Sequence, residues 1–538
     1  MARGVALLRA FVLAPSLAAC ASPQPFPLAE ATIGGMHAAM RAGSLRCRTV
    51  VQGYLDRIGT YDPALHAVIS LNPDALAEAD ALDRAAMRGP LHCVTVLVKD
   101  NIDVRGMPTT AGALAFAANR PPEDAFLVAR LRAAGAIVIG KANMDEFAFT
   151  YKGSSSIAGQ ALNAYDAGIT PGGSSSGTGT GVAASLAMVG LGTDTGGSVR
   201  VPSALQGLTG LRPSLRLLSQ HGIVPLAPTE DTGGPMCRTV QDCALMMNAL
   251  VGYDAAPGSG QRRAPGRTSP QVASAEEYAA LIHAPADYTT FLDAGGLRGA
   301  RIGVVRQLFP APDTPDRALF VATLDSALQR MRDAGAIVED AVVPDLDTIL
   351  ARFETVKPYE FRGGLENYLA RWPSDTDHHL RSYRELLASA GFEPRNAGPI
   401  EEYDRLGADP MQHPAYVRNV SERFPFVRER LMRAFGGQRL DVLVYPTRAG
   451  LNTTLDGKAS NNPRTSRLSS FSGYPALSMP VAMVVPPGRS VAQPVGIELL
   501  AREFDEATLI RIAYAWQQTA QARRAPLPTP ELLAEQKQ

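Results

Sequence analysis

Residues 169–193 read ITPGGSSSGTGTGVAASLAMVGLGT, a run of 25 residues without a charged side chain. Glycine, serine and threonine dominate this run and large apolar residues are few, which excludes a membrane hairpin. The part from Thr180 to Leu191 is rich in small residues and predicts a helix suited to close burial. Asp194 and Arg200 bracket a Thr-Gly-Gly-Ser-Val segment directly after it. The stretch therefore predicts a buried segment that leads into a constrained turn, not a flexible linker.

The glycines of this stretch favour binding of a negatively charged group. A phosphate loop is excluded because the stretch has no GxxxxGK[ST] sequence, but backbone amides crowded by glycines can still stabilise a transient oxyanion. Gly173–Gly177 also fits GxSxG, which would make Ser175 the nucleophile of a nucleophile-elbow hydrolase. That motif should follow a strand, yet Asn163–Gly168 is loop-like, and the last histidine, His413, comes too early. The nucleophile-elbow alternative is disfavoured.

Length and composition narrow the class of protein. The chain has 538 residues, above the roughly 250–300 at which one hydrophobic core usually stops growing. At 46% hydrophobic and 19% charged residues, it is neither a disordered tail nor a coiled coil. Lys+Arg and Asp+Glu both number 52, so the net charge is zero and we expect no nucleic-acid partner. The chain forms either two domains or one unusually large α/β domain.

Helical and buried-strand patterns alternate on both sides of the central stretch. Apolar, β-branched runs end at Lys99 and again close to Lys141. Late strands are predicted at Asp441–Tyr445 and Pro494–Leu500, before a closing helix. This alternation predicts an α/β layered fold with largely parallel strand pairing. The more polar segment at about 347–436 is interpreted as a helical insertion on the sheet.

The amino terminus has the pattern of an export signal. Arg3 and Arg9 precede an apolar run of ten residues, Ala10–Ala19, and no acidic residue occurs among them. The run is far below the roughly 20 residues that a membrane-spanning helix needs. We therefore expect residues 1–20 to be a signal peptide and the protein to be exported to the periplasm of a bacterial cell envelope.

Two kinds of processing fit the end of this signal. Leu17–Cys20 resembles the bacterial lipobox, in which the cysteine becomes the lipid-modified first residue. Cleavage without lipidation, after the Ala19-Cys20-Ala21 triplet, is the alternative. Membrane contact is expected only through a lipid anchor at Cys20. Residues 21–30 would then be a short tether, and residues 31–538 the folded domain.

Three separated motifs resemble those of the amidase signature family. That signature runs from Gly-Gly-Ser-Ser to Gly-Thr-Asp-x-Gly-Gly-Ser-[Ile/Val]-Arg-x-Pro, and the chain has Gly172–Ser175 followed by Gly192–Pro202. The family's Val-Lys-Asp-Asn is matched by Val98–Asn101. The resemblance covers about residues 28–524 and makes 31–538 an amidase domain. It implies a single large mixed sheet covered by helices on both faces.

Carried over to the matching positions, the resemblance implies a Ser–cis-Ser–Lys triad. Ser198 is the nucleophile, Ser174 the bridging serine on a cis peptide, and Lys99 the base. The residue chemistry agrees, because a serine hydroxyl needs an adjacent base and burial behind Thr95–Val98 would lower the pKa of Lys99. Lys141 is the rival base, since it too follows an apolar run. The implied reaction is carboxamide C–N hydrolysis through an acyl-enzyme.

The turn before the predicted nucleophile supplies candidate donors for an oxyanion. Its glycines let the backbone approach a substrate closely. Four backbone amides are predicted to form the oxyanion hole, namely those of Thr195, Gly196, Gly197 and Ser198. Asp194 and Arg200 are expected to pair with each other or with the backbone and so to stabilise this turn.

Cysteine and histidine spacing predicts no metal or cofactor. The five cysteines form no CxxC pair and the eight histidines no HExxH motif. Five cysteines are also too few for a disulfide scaffold, and the sequence leaves open the pairing of Cys47, Cys93, Cys237 and Cys243.

The substrate is less well defined by the sequence than the reaction is. Tyr359–Tyr368 and the exported start resemble the peptide-amidase branch of the family, which deamidates peptide C-termini. The chain departs from the family pattern near the triad, at Cys93–Thr95 and at Gly112-Ala113, so aryl amides, fatty-acyl amides and esters stay as alternatives. Two other interpretations are an amidotransferase subunit of the same family and a non-catalytic envelope binding protein. The expected partner is a small-molecule or peptide amide.

Overall fold

The computed structural model describes residue 1 and residues 26–526, apart from residues 88, 257, 262–271, 372–379, 437–438, 452–453 and 456–463. The predicted signal peptide and Cys20 lie outside the described residues. The end of the predicted tether is packed: the Tyr54 hydroxyl donates to Leu28 O (3.2 Å), and Glu30 N donates to Ser185 Oγ (3.1 Å). The folded part of the chain therefore begins before residue 31.

The described strands form one large sheet and a small hairpin. Their bounds are β1 (Val68–Leu71), β2 (Thr95–Lys99), β3 (Ile137–Ala142), β4 (Ser154–Ser155), β5 (Gly159–Gln160), β6 (Val189–Asp194), β7 (Thr209–Arg212), β8 (Thr232–Cys237), β9 (Arg301–Val304), β10 (Ile337–Asp340), β11 (Val442–Pro446), β12 (Ala476–Val484) and β13 (Gln493–Leu500). The large sheet has 11 strands in the order β1-β3-β2-β6-β8-β7-β12-β13-β11-β9-β10, and β4 pairs with β5.

Pairing in the large sheet is mixed, which confirms the predicted fold class. Among the described strands, parallel pairs occur only in the β3-β2-β6 and β11-β9-β10 groups. From β6 through β8, β7, β12 and β13 to β11 every pair is antiparallel. The prediction of largely parallel strand pairing was therefore wrong for the central strands of the sheet. The loop between β12 and β13 is too short for the crossover of a dozen or more residues that parallel neighbours need.

Sixteen α-helices occur among the described residues. They are α1 (Ile33–Arg41), α2 (Cys47–Leu65), α3 (Ala75–Arg84), α4 (Phe126–Ala133), α5 (Ser176–Ala183), α6 (Arg200–Leu205), α7 (Val240–Leu250), α8 (Ala275–Ile282), α9 (Pro315–Asp333), α10 (Leu346–Arg352), α11 (Lys357–Leu369), α12 (Tyr383–Ser389), α13 (Ala397–Leu406), α14 (Pro414–Ala434), α15 (Arg467–Ser472) and α16 (Glu506–Ala520). Helices α10 to α14 occupy the segment interpreted as an insertion. Within the described ranges, no helix has the length and apolarity that a membrane span requires.

Helices cover both faces of the sheet, as the alternation along β12 illustrates. Met479 belongs to the same apolar cluster as Trp516 of α16. The next residue, Pro480, pairs with Gly496 on β13, and a Cβ added to Gly496 would lie 2.5 Å from Ala204 Cβ in α6. Because successive strand residues point to opposite faces, α6 and α16 lie on opposite sides of the sheet.

The central uncharged stretch contains a helix followed by a strand. The predicted helix over Thr180–Leu191 was wrong in its second half, because α5 ends at Ala183 and β6 begins at Val189. The small residues have a packing role: a Cβ added to Gly190 of β6 would lie 2.5 Å from Thr178 Cγ2 of α5. They allow the helix to pack on the sheet at short range.

One disulfide connects the first helices to the sheet. Cys47, the first residue of α2, is bonded to Cys93, two residues before β2, with a Cα–Cα distance of 5.5 Å. Cys237 and Cys243 are buried and free. The bonded pair is separated by 46 residues, and in the chain-entropy description a loop of that length gives a stabilisation of about 4 kcal/mol. The bond thus restrains the segment that leads to Lys99.

Candidate active site

Lys99, the last residue of β2, is wholly buried and contacts two hydroxyl groups. Its Nζ lies 2.7 Å from Ser174 Oγ and 2.7 Å from Thr193 Oγ1. Asn101 Nδ2 also donates to Thr193 Oγ1, over 3.1 Å. The peptide bond between Gly173 and Ser174 is cis. Strand β2 and the Gly-Ser segment thus place the predicted base beside the predicted bridging serine.

The surroundings of Lys99 favour its neutral form. Burial lowers the pKa of Lys99 from 10.5 to about 7, although the charges of Asp145, Asp194 and Asp231 act to raise it. No described ion pair includes Lys99. A group with a pKa near the working pH can both accept and return a proton, which is what a general base needs.

Lys141, the rival base, is in a different environment although it too is wholly buried. Its Nζ lies 3.0 Å from Asp100 Oδ1 and donates to Thr109 Oγ1 and Pro108 O over 2.9 and 3.0 Å. Lys141 thus has a buried carboxylate as its direct partner, whereas Lys99 has none among the described ion pairs. The geometry therefore favours a structural ion pair for Lys141.

Ser198 lies in the turn between β6 and α6 and is 3% exposed. Its carbonyl oxygen accepts from Ser175 N over 3.2 Å, which joins the turn to the start of α5. Gly197 precedes it with a φ of +134°, and a Cβ there would lie 2.8 Å from Ser466 Oγ. Only glycine fits this position without a shift of its neighbours.

The carboxylate of Asp194 stabilises this turn. Asp194 Oδ1 accepts from Gly197 N (2.7 Å), and Oδ2 accepts from Val199 N (3.1 Å). The same carboxylate is paired with Arg200 and Arg212, each at 3.0 Å, and all three side chains are wholly buried. Burial alone would raise the pKa of Asp194, but the two guanidinium groups lower it well below its usual range. The predicted pairing of Asp194 with Arg200 is confirmed.

Of the four backbone amides predicted to form the oxyanion hole, three donate no hydrogen bond to any other described group. The fourth amide, Gly197 N, donates to the Asp194 carboxylate. In the described part of the chain the backbone amides of Thr195, Gly196 and Ser198 donate no hydrogen bond. The Gly196 carbonyl oxygen accepts from the Tyr151 hydroxyl over 3.1 Å, which restrains the orientation of the neighbouring peptide. These three amides are the ones available to an oxyanion.

Ser175, the alternative nucleophile of the GxSxG motif, is engaged with the backbone. Its Oγ donates to Thr193 O (3.2 Å) and accepts from Thr193 N (3.3 Å), and the residue is wholly buried. It is not among the residues that line the cavity beside Ser198. The structure therefore gives Ser175 a role in joining α5 to β6.

A cavity of about 200 Å³ opens onto Ser198. It is lined by side chains from the turn, from the loops that follow β3 and precede β8, and from the region of α10 to α15. These are Ala148, Phe149, Tyr151, Thr195, Gly196, Leu226, Glu230, Thr355, Lys357, Arg467, Ser470 and Phe471. A larger cavity of about 410 Å³ lies between α7 and α16 and includes none of the predicted site residues. The described residues contain no cluster of His, Cys, Asp and Glu suited to a metal ion.

Sequence reasoning did not single out several residues that contact the predicted triad and turn. Thr193, which contacts Lys99, stands inside the Gly-Thr-Asp motif, so that motif was a usable signal. Tyr151 and Asp231 lie in loops without periodicity; the Asp231 carboxylate accepts from Thr195 Oγ1 and from Leu226 N. Their positions depend on contacts between distant segments, which no local pattern reports.

Comparison with known proteins shows which family the chain matches. The family model described as Amidase matches residues 49–510. The chain is 33% identical over 498 residues to a glutamyl-tRNA(Gln) amidotransferase subunit from Chloroflexus aurantiacus, covering 90% of this chain and 96% of that relative. It is similar to the native peptide amidase from Stenotrophomonas maltophilia, with 36% identity, a TM-score of 0.78, and 93% and 99% of the two chains covered. An amidase family protein from Bacillus anthracis has 30% identity and a TM-score of 0.74, with 92% of each chain covered.

The Asp194 ion network leads to a prediction about stability. Asp194→Asn would leave Arg200 and Arg212 buried with too little negative charge, and breaking a buried pair costs about 3–5 kcal/mol. We expect the urea midpoint of unfolding to fall accordingly. Asp313→Asn, which removes the partner of Arg317 in an exposed pair, is the matched control and should leave the midpoint unchanged. Equal midpoints for the two variants would contradict this role of Asp194.

Proposed function

The chain belongs to the amidase family and is an amide-hydrolysing enzyme, and we propose that it works through a catalytic triad of Ser198, Ser174 and Lys99. The observation that carries this proposal is the 2.7 Å contact between Lys99 Nζ and Ser174 Oγ at the end of a buried strand. The depressed pKa of Lys99 supports it, because a neutral amine can accept a hydroxyl proton. Ser198 lines the cavity, and its carbonyl oxygen accepts from the backbone N–H of Ser175, the residue after Ser174.

The proposed reaction begins with proton transfer along this relay. Neutral Lys99 takes the proton of Ser174, which takes the proton of Ser198, and Ser198 Oγ forms a bond to the amide carbonyl carbon. The carbonyl electron pair moves to oxygen and gives a tetrahedral oxyanion. When that intermediate collapses, the C–N bond breaks, and the relay returns the proton to the leaving nitrogen. A water oxygen then forms a bond to the acyl carbon and gives a proton to the same relay. When this second intermediate collapses, the bond between the acyl carbon and Ser198 Oγ breaks, the relay returns the proton to Ser198 Oγ, and the carboxylic acid leaves.

We place the oxyanion at the amides of Thr195, Gly196 and Ser198. Their N–H groups are free of other described partners, and the turn that carries them is restrained by Asp194 before substrate arrives. Donors oriented in advance need no reorganisation when the charge develops, and one such donor typically contributes about 100- to 1,000-fold in rate. The amide of Gly197 instead donates to Asp194 and so stabilises the turn.

Peptide C-terminal amides are the substrate class that we propose. The 36% identity to a peptide amidase supports this choice. The cavity beside Ser198, about 200 Å³, is below the roughly 300–1,000 Å³ of typical ligand clefts, so it suits a single residue better than a long acyl chain. An amidotransferase subunit is the second candidate, because the chain is 33% identical to one. The predicted export signal favours the hydrolase.

We further propose that the protein is exported to the bacterial periplasm, with Cys20 as the site of a lipid anchor. The Cys47–Cys93 disulfide supports export, because disulfides persist mainly in oxidising compartments. The basic start and short apolar run of the amino terminus support it independently.

The role of Lys99 predicts a specific pH dependence. Activity requires the neutral amine, so kcat/KM for an amide should rise with pH through about 7 and level off above it. Lys99→Arg keeps a permanent charge and should lower amide turnover by about 100- to 10,000-fold, while Lys99→Ala should retain some ester cleavage. Rates on a matched amide and ester from about pH 5 to 10 test this, with the exposed Lys152→Arg as control. An amide rate in Lys99→Arg within a few-fold of wild type would place the base elsewhere.

The proposed nucleophile and substrate class are tested together on purified protein. Wild type should hydrolyse N-acylated peptide amides faster than anilides or fatty amides, and a fluorophosphonate probe should label Ser198. Ser198→Ala should lose both amide hydrolysis and probe labelling because the proposed nucleophile is absent. Ser175→Ala should still be labelled. Labelling that depends on Ser175 would favour the nucleophile-elbow alternative, and turnover of anilides alone would overturn the peptide-amide assignment.

Export is tested in bacterial cells that express the full chain. We expect the protein in the envelope fraction with Cys47 and Cys93 protected from alkylation until a reductant is added. Cys20→Ser should release the protein into the soluble periplasmic fraction if Cys20 carries the anchor. Recovery in the cytoplasm with both cysteines alkylated would contradict export.

A further inference from the structure

Two cationic side chains line the cavity that contains Ser198. Lys357, at the start of α11, is half-buried; its Nζ donates to Phe149 O over 3.1 Å and lies 5.7 Å from the centre of the Phe149 ring. Arg467, at the start of α15, donates through Nη1 to Leu350 O over 3.0 Å. The two helices thus present an ammonium and a guanidinium to the same small space.

Neither cation is neutralised by a carboxylate in the described part of the chain. The ion pairs there include neither Lys357 nor Arg467, although most other buried arginines near the site are paired. Each donates to one carbonyl oxygen among the described residues, whereas an ammonium has three N–H donors and a guanidinium five. Donor capacity is therefore left over on both side chains.

The carboxylate that lines the cavity, Glu230, does not balance this charge. Its Oε1 lies 2.5 Å from Arg423 Nη1, and its Oε2 accepts from Thr355 Oγ1 over 2.8 Å. Both members of the Glu230–Arg423 pair are buried, so the pair is neutral as a unit, and both carboxylate oxygens of Glu230 are engaged by these contacts. The cavity as a whole therefore has an excess of positive charge.

We propose that this cavity selects amides whose acyl part carries a carboxylate, which Lys357 and Arg467 bind. For a peptide amide, this means a terminal residue with an acidic side chain. The rings of Phe149 and Phe471 and the side chain of Leu226 supply an apolar surface for the methylene groups between the carboxylate and the scissile amide. The proposal rests on the proposed function, because it requires that Ser198 attacks an amide in this cavity.

The titration behaviour of Lys357 fits a ligand of this kind. Burial lowers the pKa of Lys357, while Glu230 acts to raise it. A bound carboxylate within hydrogen-bond distance would favour the charged form. Charge-assisted hydrogen bonds of this type are among the stronger ones in proteins.

The test compares three N-acetyl amino-acid amides: glutamate α-amide, the neutral norvaline amide and the positive lysine amide. We expect kcat/KM to be highest for the glutamate amide, about 10- to 100-fold above norvaline amide, as expected for a charged hydrogen bond. Lys357→Met and Arg467→Met should each reduce that ratio about tenfold. Lys152→Met, an exposed lysine outside the cavity, is the matched control and should leave the ratio unchanged.

Two outcomes would overturn the proposal. Wild type that turns over all three amides at similar rates would exclude selection by charge. Equal losses for the glutamate and norvaline amides in the variants would show that the cations bind peptide carbonyl groups common to both.

A binding measurement separates this inference from the proposed function. Calorimetry with Ser198→Ala should show tighter binding of the glutamate amide than of the norvaline amide, and Lys357→Met added to that variant should remove the difference. If wild type cleaves none of the amides but this difference persists, the proposed function fails while the carboxylate site stands. If the amides are cleaved and no difference in binding is found, the inference alone fails.

Discussion

The buried carboxylate of Asp194 positions the turn that carries Ser198 on the end of the central strand. It accepts hydrogen bonds from Gly197 N and Val199 N and is paired with Arg200 and Arg212. A carboxylate taken out of water costs several kcal/mol unless it is paired and hydrogen-bonded. Here these requirements are met by residues of the turn, of α6 and of β7. The turn is consequently in place before a substrate arrives, which is the condition for preorganised stabilisation of an oxyanion.

The two buried lysines illustrate how the sheet assigns different properties to one residue type. In the parallel pairing of β2 with β3, Lys141 is the partner of Val98 and Ala142 the partner of Lys99. Lys99 and Lys141 are therefore one step out of phase, so their side chains leave the sheet on opposite faces. On one face Lys141 meets the Asp100 carboxylate at 3.0 Å; on the other Lys99 meets only hydroxyl groups and a carbonyl among the described residues. Burial thus produces an ion pair in one case and a depressed pKa in the other.

The proposed catalytic groups and the proposed carboxylate-binding residues come from different parts of the molecule. The proposed catalytic groups lie at the ends of β2 and β6 and in the segments around α5, whereas Lys357 and Thr355 of the cavity come from the region of α10 to α14. The two parts are connected by buried polar contacts: Arg423 of α14 pairs with Glu230, whose neighbour Asp231 accepts from Thr195. Substitutions in the helical segment can therefore change the acyl group that is bound while the sheet keeps its geometry.

The residue patterns of the sequence alone predicted an α/β fold, and the resemblance of its motifs to the amidase signature implied the mixed sheet and the proposed triad. That resemblance rests on three separated motifs, Val98–Asn101, Gly172–Ser175 and Gly192–Pro202. Apolar runs likewise located the strands that end near Lys99 and Lys141, since burial on both faces demands apolar residues. The sequence did not reveal β6, whose glycines read as part of a helix.

Only the tertiary structure decided the antiparallel pairing in the centre of the sheet, the Cys47–Cys93 bond and the ion pair of Lys141. It also decided that the cationic side chains of Lys357 and Arg467 line the same cavity. Each depends on which distant segments come into contact. Contacts of that kind follow from the packing of the whole chain, and no local pattern of residues specifies them.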